Sequence, residues 1–291
     1  MVRPCRSTRV VVRQEHVQLE IISRHPSSGN GAPPLLFVHG AFHGAWCWDV
    51  HFLDYFAARG FTAHAVSLRG HGHSDGRSTL RRARVAGYVE DVEWAAAQLP
   101  TAPILIGHSM GGLIVEKVLE RRPAPAAVLL SPPPPRRVLK SVVRIAARHP
   151  RPLVEVILTR KMWPLVATPA LAHDALFSDD MPDDLVKDYW NRLQDESFRA
   201  FVGMLTVDRP DPSKVRTPVY VLGGADDRLI TPREIEATAR AYGAPFEVLA
   251  GLAHDLMLDT RWPTVASRIV AWLTGLGLAH ERPLTTPSTT V

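Results

Sequence analysis

Ser109, two aspartates and His254 follow one another along the chain, each just after a short apolar run. The segments are "ILIGHSMGGL", "VYVLGGADDRLITP" and "FEVLAGLAHDLML". A serine hydroxyl is a poor nucleophile on its own. It needs a base to take its proton and an acid to orient that base. Gly107 and Gly111 lie two residues either side of Ser109. That spacing suits a very tight strand-to-helix turn, where side chains at both positions would clash and the hydroxyl is lifted above the sheet. The helix that follows adds its N-terminal dipole and free N–H groups where negative charge develops. His254 is the candidate base. Of the two acids, Asp227 is taken as its partner and Asp226 as the residue that tightens the turn through its backbone. No carboxylate directly follows the earlier strand "AAVLLS".

A second concentration of unusual residues, "HGAFHGAWCWD", spans residues 39–49 directly after "PLLFV". The elements needed to hold both stretches alternate along the chain. "STRVVVRQ" and "VQLEIISR" form two strands joined by a short turn, and "LLFVHG" is a strand apolar on both faces. A helix is expected over residues 46–59, stopped by Gly60, then the strand "FTAHAVSL" and the glycine-rich loop "RGHGHSDG". Residues 85–99 carry apolar side chains at helical spacing. Alternation of this kind gives right-handed βαβ units and a mostly parallel sheet covered on both faces. The pattern stops at "SPPPP", residues 131–135, because four prolines continue neither strand nor helix. Helical segments such as "RRVLKSVVRIAARH" and "DDLVKDYWNRLQDESFRAFVGML" follow, without a convincing strand. Alternation resumes at "TPVYVLGG", with helices near 232–242 and 263–274 around the strand "PFEVLA".

The chain resembles the α/β-hydrolase superfamily over about residues 15–275. The resemblance rests on "VHGAFHG", "LRGHGHSDG", "GHSMGG", "GGADDRLITP" and "GLAHDLML" in that order. It implies an α/β fold: a mostly parallel eight-stranded sheet with helices on both faces and a helical lid inserted after the sixth strand. The core then comprises residues 1–131 and 213–277, the lid residues 132–212, and a disordered polar tail residues 278–291. The resemblance also assigns Ala41 and Met110 as backbone oxyanion donors, with Gly40 letting the loop approach the substrate. Phe42 becomes a pocket wall, and His43 either a pocket residue or a second anchor of the loop. His39, His71 and His73 become structural residues, and His108 a packed neighbour of the nucleophile. Trp46 and Trp48 open the next helix and pack it, and Cys47 is buried without a catalytic role. Where relatives often carry aspartate before "LRGHG", this chain has Ser67.

"HGAFHGAWCW" looks like the corresponding loop of plant methylesterases and hydroxynitrile lyases. The lyases place threonine after the first histidine and lysine after the catalytic one; this chain has Gly40 and Asp255. Ser109 likewise departs from the aspartate nucleophile of epoxide hydrolases and haloalkane dehalogenases. The expected activity is a serine hydrolase cleaving a carboxylic ester or related acyl substrate through an acyl-enzyme. A thioesterase, perhydrolase or cofactor-free lyase on the same triad stays open, as does a ligand receptor with vestigial hydrolysis. No cofactor or metal is expected.

Composition bounds the rest. The 291 residues are 46% hydrophobic and 22% charged, with a net charge of +5. The basic residues are spread out, which argues against a nucleic-acid partner. Two cysteines without metal spacing fit a reduced, cytoplasmic protein. The N-terminus lacks an apolar signal region and no run suits membrane insertion, so a small molecule is the expected partner.

Overall fold

Five short runs bury every side chain: Leu35–Val38 (β3), Ala63–Val66 (β4), Ile104–His108 (β5), Ala127–Leu130 (β6) and Val219–Gly224 (β7). A strand can be buried on both faces only inside a sheet covered on both. The computed structural model describes residues 6–14, 17–135, 143–144 and 147–279, and places these runs at the centre of one eight-stranded sheet. Arg6–Gln14 (β1) and Val17–His25 (β2) form an antiparallel edge, and Phe246–Leu249 (β8) closes the other. The order is β1-β2-β4-β3-β5-β6-β7-β8, parallel from β4 to β8. Side chains alternate between two cores, as a period of two requires. Leu35 and Phe37 pack on one face with Trp48, Phe52 and Ile269, while Leu36 and Val38 pack on the other with Val92, Leu113 and Ile235.

Those cores are closed by Trp46–Asp49 (α1), Phe52–Ala58 (α2), Val85–Ala97 (α3) and Met110–Leu119 (α4). The helix expected over 46–59 is therefore two helices. His51 leaves the helical region, with φ −139° and ψ −50°, and its ring lies flat on Trp262 with centroids 4.7 Å apart. That long-range stack accounts for the break.

Between β6 and β7 lie Pro150–Thr159 (α5), Pro169–Leu176 (α6), Asp183–Arg192 (α7) and Phe198–Leu205 (α8). The only strand-like pairing among the described residues of this stretch is the isolated bridge Lys161–Ser197. Most of "RRVLKSVVRIAARH" lies outside the described residues. The expected helix across 183–205 is interrupted at residues 193–197 because Gln194 turns onto the sheet side. Its backbone N–H donates to Phe42 O at 2.9 Å; its side chain accepts from Gly72 N and donates to Gly70 O. Pro232–Tyr242 (α9) and Trp262–Gly275 (α10) complete the layers. Of the expected tail, Leu278 packs partly buried on the core and Ala279 is buried; residues 280–291 lie outside the described residues. Among the described residues no helix is long and apolar enough to cross a membrane.

Because β3, β5, β7 and β8 are parallel, the loops after them meet at one edge of the sheet. Gln194 holds the inserted helices against that edge. Gln194→Ala leaves the Gly72 N–H and Gly70 carbonyl without partners and should cost about 1–3 kcal/mol, read as a lower urea midpoint at unchanged slope. An unchanged midpoint would place the anchoring elsewhere.

Candidate active site

Ser109 alone turns the chain from β5 into α4. Its backbone sits at φ 51° and ψ −122°, a conformation that costs on the order of 1–3 kcal/mol for a non-glycine residue. Packing holds it there. Ser109 N–H donates to Leu130 O on the neighbouring strand at 2.8 Å. A Cβ on Gly107 would lie 2.4 Å from Gly111 O, and one on Gly111 would lie 2.4 Å from the carbonyl oxygens of both Val38 and His39. Glycine at these positions thus serves a close crossing of β3, β5 and α4 as well as the turn.

The loops after β8 and β7 bring the other two candidates to the serine. His254 Nε2 lies 2.9 Å from Ser109 Oγ, and His254 Nδ1 lies 2.8 Å from Asp227 Oδ2. The other oxygen of Asp227 accepts from the N–H groups of Leu229 and Ile230, both at 2.8 Å. Asp227 and His254 are buried, whereas Asp226 is exposed and meets Leu252 O through its backbone N–H. Burial alone would push the His254 imidazole down; the Asp227 carboxylate, aided by Asp255, overrides this and holds it above its ordinary value. A base of this kind takes a proton readily and keeps it stably.

The loop after β3 passes directly beside Ser109. A Cβ on Gly40 would lie 3.0 Å from Ser109 Cβ and 2.8 Å from His108 Nδ1. His39 Nδ1 lies 2.8 Å from Gly40 O and its Nε2 accepts from Leu68 N–H at 3.0 Å. These contacts define an Nδ1–H tautomer. Burial, then the nearby His71, holds His39 well below the ordinary range and so neutral. Pinning Gly40 O fixes the trans peptide that carries the Ala41 N–H on its opposite side. Met110 N–H is the first of α4, one of the donors without a partner inside the helix.

Phe42 and His43 line the cavity in front of Ser109. Phe42 adopts φ 69°. His43 is buried, and its two ring nitrogens face protein: Nδ1 lies 2.7 Å from Ala41 O and Nε2 3.0 Å from Asp255 Oδ2. The outer wall comes from the inserted helices and the turn before α6 through Met162, Val166, Leu176, Phe201 and Met204, with Leu229 and Ile230 beside them. Trp46 and Trp48 are buried at the start of α1. The guanidinium carbon of Arg192 sits 4.3 Å over the Trp46 ring.

His108 and His71 have structural partners. His108 Nε2 lies 2.9 Å from His254 O, and burial together with His254 pushes its imidazole down to about 3. His71 faces Glu196, which also accepts from the Tyr88 hydroxyl; His73 is exposed. Burial raises the Cys47 thiol away from the thiolate form. Ser67 accepts from Ala45 N–H and donates to Glu20, which anchors the end of the first loop. Among the described residues His108, His254 and Asp255 each bring one possible metal-ligand atom within 4.8 Å of the others. Both ring nitrogens of His254 and one of His108 already face protein partners, so the set is poor as a metal site. Sequence reasoning missed the part played by Gln194, which carries no motif, and met Asp255 only as the absence of a lysine.

The model of the "Alpha/beta hydrolase family" matches residues 35–268. A monoacylglycerol lipase of Mycolicibacterium smegmatis is 27% identical over 239 residues, covering 77% of this chain and 81% of that protein. Methylesterase 10 of Arabidopsis thaliana is 34% identical over 95 residues, and that match covers 32% of this chain and 34% of the plant protein. A solved carboxylesterase structure from Nitrososphaera gargenis superposes with a TM-score of 0.68 at 18% identity, covering 93% of this chain and 99% of that one. The crossing at Ser109, the sheet order and the match over residues 35–268 agree: the chain belongs to the alpha/beta hydrolase family.

Proposed function

We propose that this protein is a serine esterase that cleaves small carboxylic esters through an acyl-enzyme. One observation carries the reading: an unbroken chain from Asp227 through His254 to Ser109, at 2.8 and 2.9 Å, ends in a hydroxyl on the wall of an apolar cavity. His254 takes the Ser109 proton as Oγ attacks the ester carbonyl. Asp227 stabilises the imidazolium that forms. The carbonyl oxygen becomes an oxyanion between the N–H groups of Ala41 and Met110, donors fixed before the charge develops. His254 returns its proton to the leaving alcohol, and water releases the acid by the same steps. The lipase and methylesterase among the relatives support ester chemistry.

Residues 132–212 act in this reading as a lid that supplies the acyl side of the pocket. Its contributions are mostly apolar, from Met162, Leu165, Val166, Leu176, Phe201 and Met204, and the ionisable residues it adds to the lining, Arg148, His149 and Asp174, are paired with one another. The favoured substrate therefore has an apolar acyl or alcohol part.

Three outcomes are expected. Ser109→Ala abolishes hydrolysis of p-nitrophenyl butyrate while its melting temperature stays near wild type; turnover above a tenth of wild type would contradict the reading. Asp227→Asn lowers kcat about 10⁴-fold, whereas Asp226→Asn stays within about threefold because that residue offers only its backbone. The reverse order would reassign the acid. The third outcome concerns pH. His254 must be neutral to act, and its proton affinity is raised above the ordinary 6.5. The acid limb of kcat/KM should rise through a pH above 6.5 and move to lower pH in any residual Asp227→Asn activity. A wild-type limb below 6.5 would contradict the Asp227 contribution.

A further inference from the structure

Asp255 has no part in the proton path described above, yet it is 1% exposed and sits between three loops of the site. Its Oδ2 lies 3.0 Å from His43 Nε2, its Oδ1 lies 3.6 Å from His108 Nε2, and its backbone N–H donates to Leu176 O at the end of α6. A fully buried carboxylate without strong partners is costly.

The proton count of His43 follows from its two neighbours. Ala41 O can only accept, so His43 Nδ1, 2.7 Å away, carries a hydrogen. His43 Nε2 and Asp255 Oδ2 are 3.0 Å apart, a distance at which two bare lone pairs repel. Neither atom has a hydrogen-bond partner elsewhere, so the close approach requires a proton on one of the two. Whether it sits on nitrogen or oxygen, the pair is neutral overall and His43 keeps its Nδ1–H aimed at Ala41 O. The facing imidazoles of His43, His108 and His254 more than reverse the upward push of burial on Asp255 and hold it below the ordinary carboxylate range.

Three consecutive carbonyl groups of the loop are each tied: Gly40 O by His39, Ala41 O by His43, and Phe42 O by the Gln194 N–H. The last two flank Phe42, whose φ of 69° would otherwise relax. Ala41 supplies the candidate oxyanion donor.

We propose that Asp255 and His43 are positioning residues: the proton shared between them locks the His43 ring so that it pins the Ala41 carbonyl and holds the oxyanion donor in place. This rests on the esterase reading. Asp255 directly follows the base, so the pair also ties the loop of His254 to the oxyanion loop.

The test compares Asp255→Ala, Asp255→Asn and His43→Phe in steady-state hydrolysis of p-nitrophenyl butyrate, with Ser109→Ala alongside. An asparagine amide can donate to a neutral His43 Nε2 and preserve the pin; alanine and phenylalanine cannot. A misplaced donor acts on the transition state more than on substrate binding, so Asp255→Ala and His43→Phe should each lower kcat by about 10- to 100-fold with KM changed less than about threefold. Asp255→Asn should recover at least about tenfold of that loss. If Asp255→Ala does not fold, Asp255→Leu takes its place as an apolar side chain of similar size. Wild-type kcat in both the apolar Asp255 variant and His43→Phe, with Ser109→Ala inactive, would overturn the positioning role alone. So would equal losses in Asp255→Asn and the apolar variant. Turnover retained by Ser109→Ala would overturn the esterase reading beneath it.

Discussion

Everything at this site depends on how closely three pieces of backbone cross. α4 runs so near the end of β3 that Gly111 has no room for a Cβ against the carbonyls of Val38 and His39. The same crossing forces Ser109 into its left-handed φ and sets Gly40 against the serine side chain. Ser109 and the loop after β3, the proposed nucleophile and oxyanion loop, are therefore placed by one contact. The backbone strain at Ser109 is local, and the buried strands on both sides hold it in place.

Close crossing brings a second problem, the number of buried polar groups around it. His39, His43, His108, Asp227, His254 and Asp255 are all nearly inaccessible. Each would be costly without a partner. The arrangement answers by linking them across loops: His39 to the Leu68 N–H, His108 to the His254 carbonyl, Asp227 to the His254 ring and Asp255 to the His43 ring, while Asp227 also accepts from Leu229 and Ile230 of its own loop. These contacts make the loops after β3, β4, β5, β7 and β8 one polar network. The inserted helices join it through Gln194 at Phe42 and through the carbonyl of Leu176 at Asp255. The pocket wall and the loops that carry the candidate residues are accordingly tied to each other.

What could be read from the chain, and what could not, follows from the range of the forces involved. The central strands were legible because burial on both faces leaves uninterrupted apolar runs. The turn at Ser109 was legible because two glycines mark a steric requirement. Asp227 could be preferred over Asp226 from turn chemistry, and the geometry gives it the histidine contact while Asp226 faces solvent. The break at His51 was not legible, since it comes from a ring stack with Trp262 more than two hundred residues away in the chain. Gln194 and Asp255 were opaque for the same reason. A polar residue in sequence announces that it needs a partner, but a buried carboxylate and an exposed one look alike until the fold supplies the neighbour.

The central claim is that Ser109 is activated in the resting protein by His254 and Asp227. Reaction with a fluorophosphonate followed by peptide mass mapping tests it most directly, because the reagent bonds a nucleophile that is activated and faces a working oxyanion site. The account predicts a single adduct on the peptide containing Ser109, lost in Ser109→Ala. Folded wild-type protein that takes up no adduct, or carries it on another residue, would contradict it.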